Sequence, residues 1–355
     1  MNFEAVETAL VPVISVVLPV FNGEAHIEAA VRSILDQTFE NFELIAINDG
    51  STDGTLRILQ NMSTYDERLV VISRENRGLV ASLNEGIGIA RGVWIARMDA
   101  DDIAYPNRFE RQLRWLQQTG ADICGSWIKY LGTSDSRVLQ HPETDEAIKL
   151  EMLFGSPFAH PTVMMKTALA SQLGYSNQWE SCEDYDLWER AAQAGWKMTN
   201  VSEVLLSYRL HGAQISSVSA VRQRELAQRI RYRYWEFRCN ALHLKQVWTK
   251  EVLALRESPV SKADMDMVDA AFYSLLSQFQ GGSQATIFHH MTRLYLRAAG
   301  DCNDIVARWS RLNDRFGVGS AIGVKIELFL LSLFRIHPDT KFHGQLRKIY
   351  SNVGR

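Results

Sequence analysis

Three carboxylates, Asp99, Asp101 and Asp102, crowd into four positions at the end of an apolar run, Val93-Trp94-Ile95-Ala96-Arg97-Met98. With Gly92 before it and a polar turn holding Pro106 after it, the run reads as a buried strand of a mostly parallel sheet. Acids at a buried strand end repel one another unless a cation or a set of donors compensates, so they are candidate oxygen ligands for a divalent ion. A D-x-D pair also occurs in solvated turns; its place at a strand end is what favours the metal. A second acid pair, Glu183-Asp184, opens a helical pattern carried by Leu187, Ala191 and Ala194 and stopped by Gly195. The helix macrodipole alone would favour acids there. A histidine, His211, ends a later apolar run that begins at Val204.

The elements that must position these groups alternate. Apolar, β-branched runs at 14–21, 42–47 and 69–72 precede the run at 93–98, and helical spacings separate them: Ile27, Ala30, Val31 and Ile34; Leu56 and Leu59; Leu79, Leu83 and Ile87. Strand and helix in strict alternation imply a three-layer αβα arrangement with right-handed crossovers. The polar groups Phe21-Asn22, Asn48-Asp49-Gly50-Ser51, Arg74 to Gly78 and Asp99-Ala100-Asp101 then share one edge of the sheet, the edge at which open α/β sheets bind ligands. Ser51, Thr52 or Asp53 is expected to cap the helix after the second strand, and Pro106 to open the one after the acids. Further strands are expected at 123–128, 162–165 and 204–211, with a helix around 145–153.

The ordered motifs P-V-F-N (Pro19 to Asn22), I-N-D-G-S-T-D-G-T, N-R-G-L, M-D-A-D-D and P-N-R-F-x-x-Q resemble the nucleotide-sugar half of the family 2 glycosyltransferases, which have the GT-A fold. The likeness continues through E-D-Y-D-L-W at 183–188 and Y-R-L-H at 208–211, covering residues 13–217. It implies an inverting, metal-dependent transfer of a sugar from a nucleoside diphosphate sugar, UDP foremost, to a hydroxyl of a glycan or lipid-linked acceptor. Pro19, Phe21, Asn22, Asp49, Ser51, Arg77, Asp99 and Ala100 would line the donor, with Phe21 placed to stack on the base and Asp49 to accept from its N–H. Asp101 and His211 would hold Mg²⁺ or Mn²⁺, all-oxygen ligation by carboxylate and diphosphate suiting either ion. Asp184 matches the catalytic base and Glu183 would position the acceptor, although spacing alone does not separate the two. His160-Pro161-Thr162 resembles an element on the acceptor side. Simpler roles stand beside these: Asp49 as a helix cap, Phe21 as core, Arg77 and His211 as surface residues, and His160-Pro161 as a rigid turn.

Composition sets the remaining bounds. At 355 residues and 46% apolar, the chain can bury a large α/β core and an appendage, which excludes a disordered or fibrous protein. Residues 1–221 hold 17 Lys and Arg against 29 Asp and Glu, while 222–355 hold 21 against 12. We read an N-terminal tail at 1–12, a GT-A catalytic domain at 13–217 and a helical C-terminal region at 218–355. The four cysteines lack metal or disulfide spacing and no secretory signal is legible, so a cytoplasmic protein is expected. Val221 to Trp235 sets five Arg beside aromatics. They are either solvated faces of a helical subdomain or a contact for an anionic membrane surface, which would make the protein peripheral at the inner face of the cytoplasmic membrane. The most apolar piece, 321–336, is too short to span a bilayer. A nucleotidyltransferase needs a basic Gly-rich triphosphate loop after the first strand, and a dinucleotide-dependent oxidoreductase needs G-x-G-x-x-G there; neither is present. The acidic first half argues against nucleic acid as a partner, although a basic, non-catalytic nucleic-acid-binding protein is the other alternative.

Overall fold

The computed structural model describes residues 11–132, 137–210, 220–257, 263–317 and 322–336. They divide into two compact units, residues 1–148 with 155–230, and residues 149–154 with 231–355.

In the first unit, strands β1 (Ile14–Val20), β2 (Phe42–Asp49), β3 (Leu69–Arg74) and β4 (Trp94–Arg97) lie parallel in the order β3-β2-β1-β4. Helices α1 (Ile27–Leu35), α2 (Thr55–Ser63) and α3 (Leu79–Ile89) make the crossovers. The two central strands bury every residue, which is why they read as near-continuous apolar runs interrupted by Ser15 and Glu43. After β4 come β5 (Ile103–Ala104), α4 (Arg108–Thr119), β6 (Ile123–Leu131), β7 (Val138–Leu139), α5 (Asp145–Glu151), β8 (Met164–Lys166), α6 (Thr167–Leu173), α7 (Glu183–Gln193) and β9 (Met198–Arg209). The sheet extends as β4-β8-β6-β9-β5. Here the mostly parallel expectation applies to only part of the sheet. The pairings β4·β8, β6·β8, β5·β9 and β6·β7 are antiparallel and β6·β9 is parallel, so the sheet as a whole is mixed.

Strand order reverses between β1 and β4, and their pairing ends at Val17 opposite Arg97. Beyond that point the two strands have no ladder between them, which lets Pro19 sit inside a central strand without leaving an acceptor unpaired. A reversal of order of this kind opens a crevice at the carboxyl edge.

Three local expectations need correction. The cap of α2 is Gly54, not Ser51, Thr52 or Asp53, although Asp53 Oδ1 accepts from Thr55 N one residue further in. Pro106 precedes α4 instead of opening it, and its carbonyl accepts from Thr38 N. The strand expected at 162–165 begins at Met164, because His160–Thr162 form a 3₁₀ turn.

Helix α8 (Ala220–Cys239) contains the Arg-rich stretch. Arg229 lies over the Trp179 ring at 5.2 Å, Arg231 is buried and Arg233 half-buried, while Arg222 and Arg224 are exposed. The second unit holds α9 (Gln246–Glu257), α10 (Met265–Gln278), α11 (Gly281–Ala298), α12 (Ile305–Phe316) and α13 (Ile322–Leu333). Its core includes Phe154, stacked on His290 at 4.2 Å and edge-on to Trp235 at 5.8 Å. The Trp235 indole donates to Leu153 O. Among the described residues no helix is long and apolar enough to cross a membrane, and no disulfide joins any of the four cysteines.

Candidate active site

The loops after β1 and β2 are pinned to each other. Asn22 N donates to Ser51 Oγ (2.9 Å), Thr52 N to Asn22 Oδ1 (2.8 Å), and Gly23 N to Thr55 Oγ1 (2.9 Å). Asn22 adopts a left-handed φ of 51°, which asparagine tolerates better than most residues. Phe21 stands beside this clasp and is 53% exposed, so it is not core; its ring is free to take a stacking partner.

Asp49 is buried at the end of β2. It does not cap α2; instead it binds the loop that leads into α3, accepting from Arg77 N (2.8 Å) and Gly78 N (2.9 Å) and pairing with Arg74. Three donors occupy a carboxylate with roughly four lone-pair positions, leaving one for a ligand donor. Gly50 makes this loop possible. Its φ is +75°, and an added Cβ would lie 2.6 Å from Asn76 N. The Arg77 side chain points to solvent.

Next to this crevice, Asp99, Asp101 and Asp102 each bring an oxygen within 4.8 Å of the others. Asp102 is fully buried; its Oδ1 accepts from Arg209 N (2.8 Å), while Oδ2 is buried with no hydrogen-bond partner. Burial, reinforced by the charge of Asp99, pushes the Asp102 carboxyl up to about 8. An orphaned carboxylate oxygen facing two further acids fits a hard divalent cation. Arg209 Nε also donates to Asp101 O (2.8 Å), so the end of β9 is tied to the acid loop. His211, two residues on, lies outside the described residues.

Arg97, not singled out by its sequence context, is the buried cation of the site. It pairs with Asp99, and its charge is felt by Asp102, Glu183, Asp184, His160 and Tyr175. The acid triad and the α7 acid pair therefore flank one guanidinium. Arg108 is also buried. It donates to Arg97 O (2.8 Å) and to Gln112 Oε1 (3.0 Å), while Gln112 Nε2 donates to Thr162 O (2.8 Å) and Cys124 O (3.2 Å). The P-N-R-F-x-x-Q motif is thus an internal brace joining the end of β4 to β6 and to the 3₁₀ turn.

Across the site, Ser181 holds a left-handed φ of 79° just ahead of α7, and its N–H donates to Glu183 Oε2 (2.8 Å). Gln223 Nε2 of α8 donates to Ser181 O (2.9 Å) and helps fix that conformation. Burial, with the charge of Asp184 added, pushes Glu183 up to about 7. Burial also raises Asp184, which is half-buried and accepts from Ser156 Oγ (3.3 Å). Asp186 of the same motif is scaffold: Arg190 Nε donates to it (2.8 Å), and the same guanidinium donates through Nη1 to Leu173 O and through Nη2 to Gly174 O. His160 meets the Tyr175 hydroxyl at 2.8 Å, and burial holds its imidazole well below the usual range, so it is neutral. Pro19 is buried in β1 and Ala100 is half-buried between the acids.

Residues 15–169 match the family described as glycosyl transferase family 2. An uncharacterized glycosyltransferase of Haemophilus influenzae is 35% identical over 234 residues, covering 62% of this chain and 72% of the relative. The O-antigen biosynthesis glycosyltransferase WbnJ of Escherichia coli is 32% identical over 208 residues, 57% of this chain and 81% of the relative. Among solved structures, S. aureus TarS 1–349 superimposes with a TM-score of 0.52 at 16% identity, over 90% of each chain. The mannosyltransferase PcManGT of Pyrobaculum calidifontis, solved with GDP-Man and Mn²⁺, gives a TM-score of 0.52 at 15% identity, over 91% of this chain and 87% of that one.

Proposed function

This chain belongs to glycosyl transferase family 2, and from its site we propose an inverting, metal-dependent transfer of a sugar from a nucleoside diphosphate sugar to an acceptor hydroxyl in polysaccharide biosynthesis. The observation that carries the proposal is the pair of acid groups on either side of Arg97: a triad with an unsatisfied buried oxygen on the donor edge, and two carboxyls of raised pKa at the start of α7. The catalytic domain is assigned to residues 13–217.

In this reading Phe21 and Asp49 receive the base, Asn22, Ser51 and Arg77 border the nucleotide, and Asp99 and Ala100 lie beside ribose and sugar. Asp101 and Asp102, together with His211, would hold Mg²⁺ or Mn²⁺. A cation held there would supply charge neutralisation for the departing diphosphate. Asp184, the more accessible acid of its pair, takes the acceptor proton as the hydroxyl oxygen attacks the anomeric carbon opposite the diphosphate; a pKa raised by burial makes it a stronger base. Glu183, locked on Ser181 N, orients the acceptor. The charge of Arg97 limits the repulsion that five nearby carboxyls would otherwise generate. UDP is the nucleotide we favour, and the acceptor is a glycan, free or lipid-linked. The enzyme works in the cytoplasm, peripheral to the membrane.

The test is a panel of nucleoside diphosphate sugars scored for Mn²⁺- or Mg²⁺-dependent hydrolysis and for protection against thermal unfolding. A UDP-sugar hydrolysed only with metal, and not by Asp101→Asn, is the expected result. Full turnover in excess chelator would overturn the metal assignment.

A further inference from the structure

Helix α13 packs through Leu328 and Leu331, which are buried. Its opposite side is apolar and open: Ile322 is 69% exposed, Ile326 45%, Phe329 54% and Leu333 59%, with Phe334 at 60% just beyond the helix. The helical four fall at i, i+4, i+7 and i+11, a single narrow stripe. A continuous stripe of this kind on a surface helix marks a contact, unlike apolar residues scattered singly.

We propose that this stripe is a membrane-contact surface that lies flat in the headgroup region of an anionic phospholipid bilayer. Twelve residues of helix reach about 18 Å, too short to cross a hydrocarbon core of about 30 Å but suited to lying in its interface. Charge complementarity selects this occupant. Lys325, within 3.8 Å of Asp314, and Arg335 flank the stripe, Arg311 and Arg315 are exposed on α12, which packs against α13, and the only acids on these two helices are Asp314 and Glu327. Long basic side chains beside an apolar stripe can bury their stems and keep their charges at lipid phosphates. A protein partner fits less well, since five side chains are far fewer than the roughly 20–30 residues a side of a stable interface. Helix α8, the earlier candidate for this role, is less suited: Arg229 lies over Trp179, Arg231 is buried, and its apolar residues Leu226, Ile230, Tyr234 and Trp235 are already buried within the protein. The inference rests on the peripheral location stated above and specifies the surface responsible.

The experiment is co-sedimentation of the full chain with vesicles of phosphatidylcholine, alone or with phosphatidylglycerol, at low and high salt, comparing the natural protein with Phe329→Ser and Ile326→Ser. Binding should require the anionic lipid and weaken as salt rises, and each substitution should lower partitioning about tenfold with the melting temperature unchanged. Equal binding by Phe329→Ser, or no binding at low salt, overturns the proposal. A dimer in sedimentation velocity that Phe329→Ser dissociates would show that a second copy covers the stripe instead. Metal-dependent donor hydrolysis, measured without vesicles, should be the same in all three proteins. Its absence would count against the catalytic reading and leave the membrane result to stand or fall separately.

Discussion

Asp102→Asn should raise the stability of the metal-free protein and at the same time abolish its stabilisation by metal. In the metal-free fold the Asp102 carboxyl is fully buried and Oδ2 has no hydrogen-bond partner, and burial together with the charges of Asp99 and Asp101 opposes its ionisation. Asparagine keeps the oxygen that accepts from Arg209 N and places an amide where the orphaned oxygen was, facing two acceptors. Removing one unsatisfied buried group recovers about 1–3 kcal/mol. At about 2–4 °C per kcal/mol for a chain portion of this size, the melting temperature in chelator should rise by roughly 2–12 °C. The sign with pH follows from the raised pKa. The folded state holds a proton that the unfolded state releases between about 4 and 8, so metal-free stability should fall as pH rises through that window, and less steeply in the variant. Differential scanning fluorimetry in chelator, then with Mn²⁺ and UDP, reads both effects. A variant that melts lower in chelator, or that keeps the full metal-dependent rise, would refute the argument that this oxygen is a vacant ligand.

Asp184→Asn should cut single-turnover transfer by several orders of magnitude while UDP-sugar affinity changes less than about threefold; loss of transfer in Glu183→Gln with Asp184→Asn active would exchange their roles. In the active protein, the rate should rise with pH as the acid pair loses its proton, Glu183 sitting near 7; a flat profile from pH 5 to 8 would contradict this. Gly50→Ala should destabilise by at least about 1 kcal/mol, because a left-handed residue gains a Cβ 2.6 Å from Asn76 N, and chemical denaturation measures it. Arg108→Met should cost about 1–3 kcal/mol and weaken donor binding, since Arg97 O and Gln112 Oε1 lose a buried donor; unchanged denaturation would show that the brace is dispensable.

Much of the donor half was legible because each strand there is short, apolar and closed by a polar turn. The alternation of periods near 2 and 3.6 places strand ends on one edge, and the ordered motifs mark what those ends carry. Less legible was everything that depends on residues distant in sequence. The mixed half of the sheet arises because β8, only three residues long, enters between β4 and β6, and no periodicity is visible in three residues. Arg97 looked like one cation in an apolar strand until α7 folded back and set Glu183 and Asp184 around it. The P-N-R-F-x-x-Q motif carried no hint of its partners, which lie 11 to 50 residues away.

Residue order by itself determined the parallel β1–β4 frame, the carboxyl-edge position of Asp49, Asp99 and Asp101, and the helix opening at Glu183, since these follow from local periodicity and turn chemistry. Only the tertiary structure decided that Asp49 binds the β3–α3 loop, that Asp102 presents a buried oxygen without a hydrogen-bond partner, and that α13 leaves one apolar face open. Each of those depends on which groups burial strips of water and which partners arrive from elsewhere to replace it, and a local pattern cannot encode the far side of a contact.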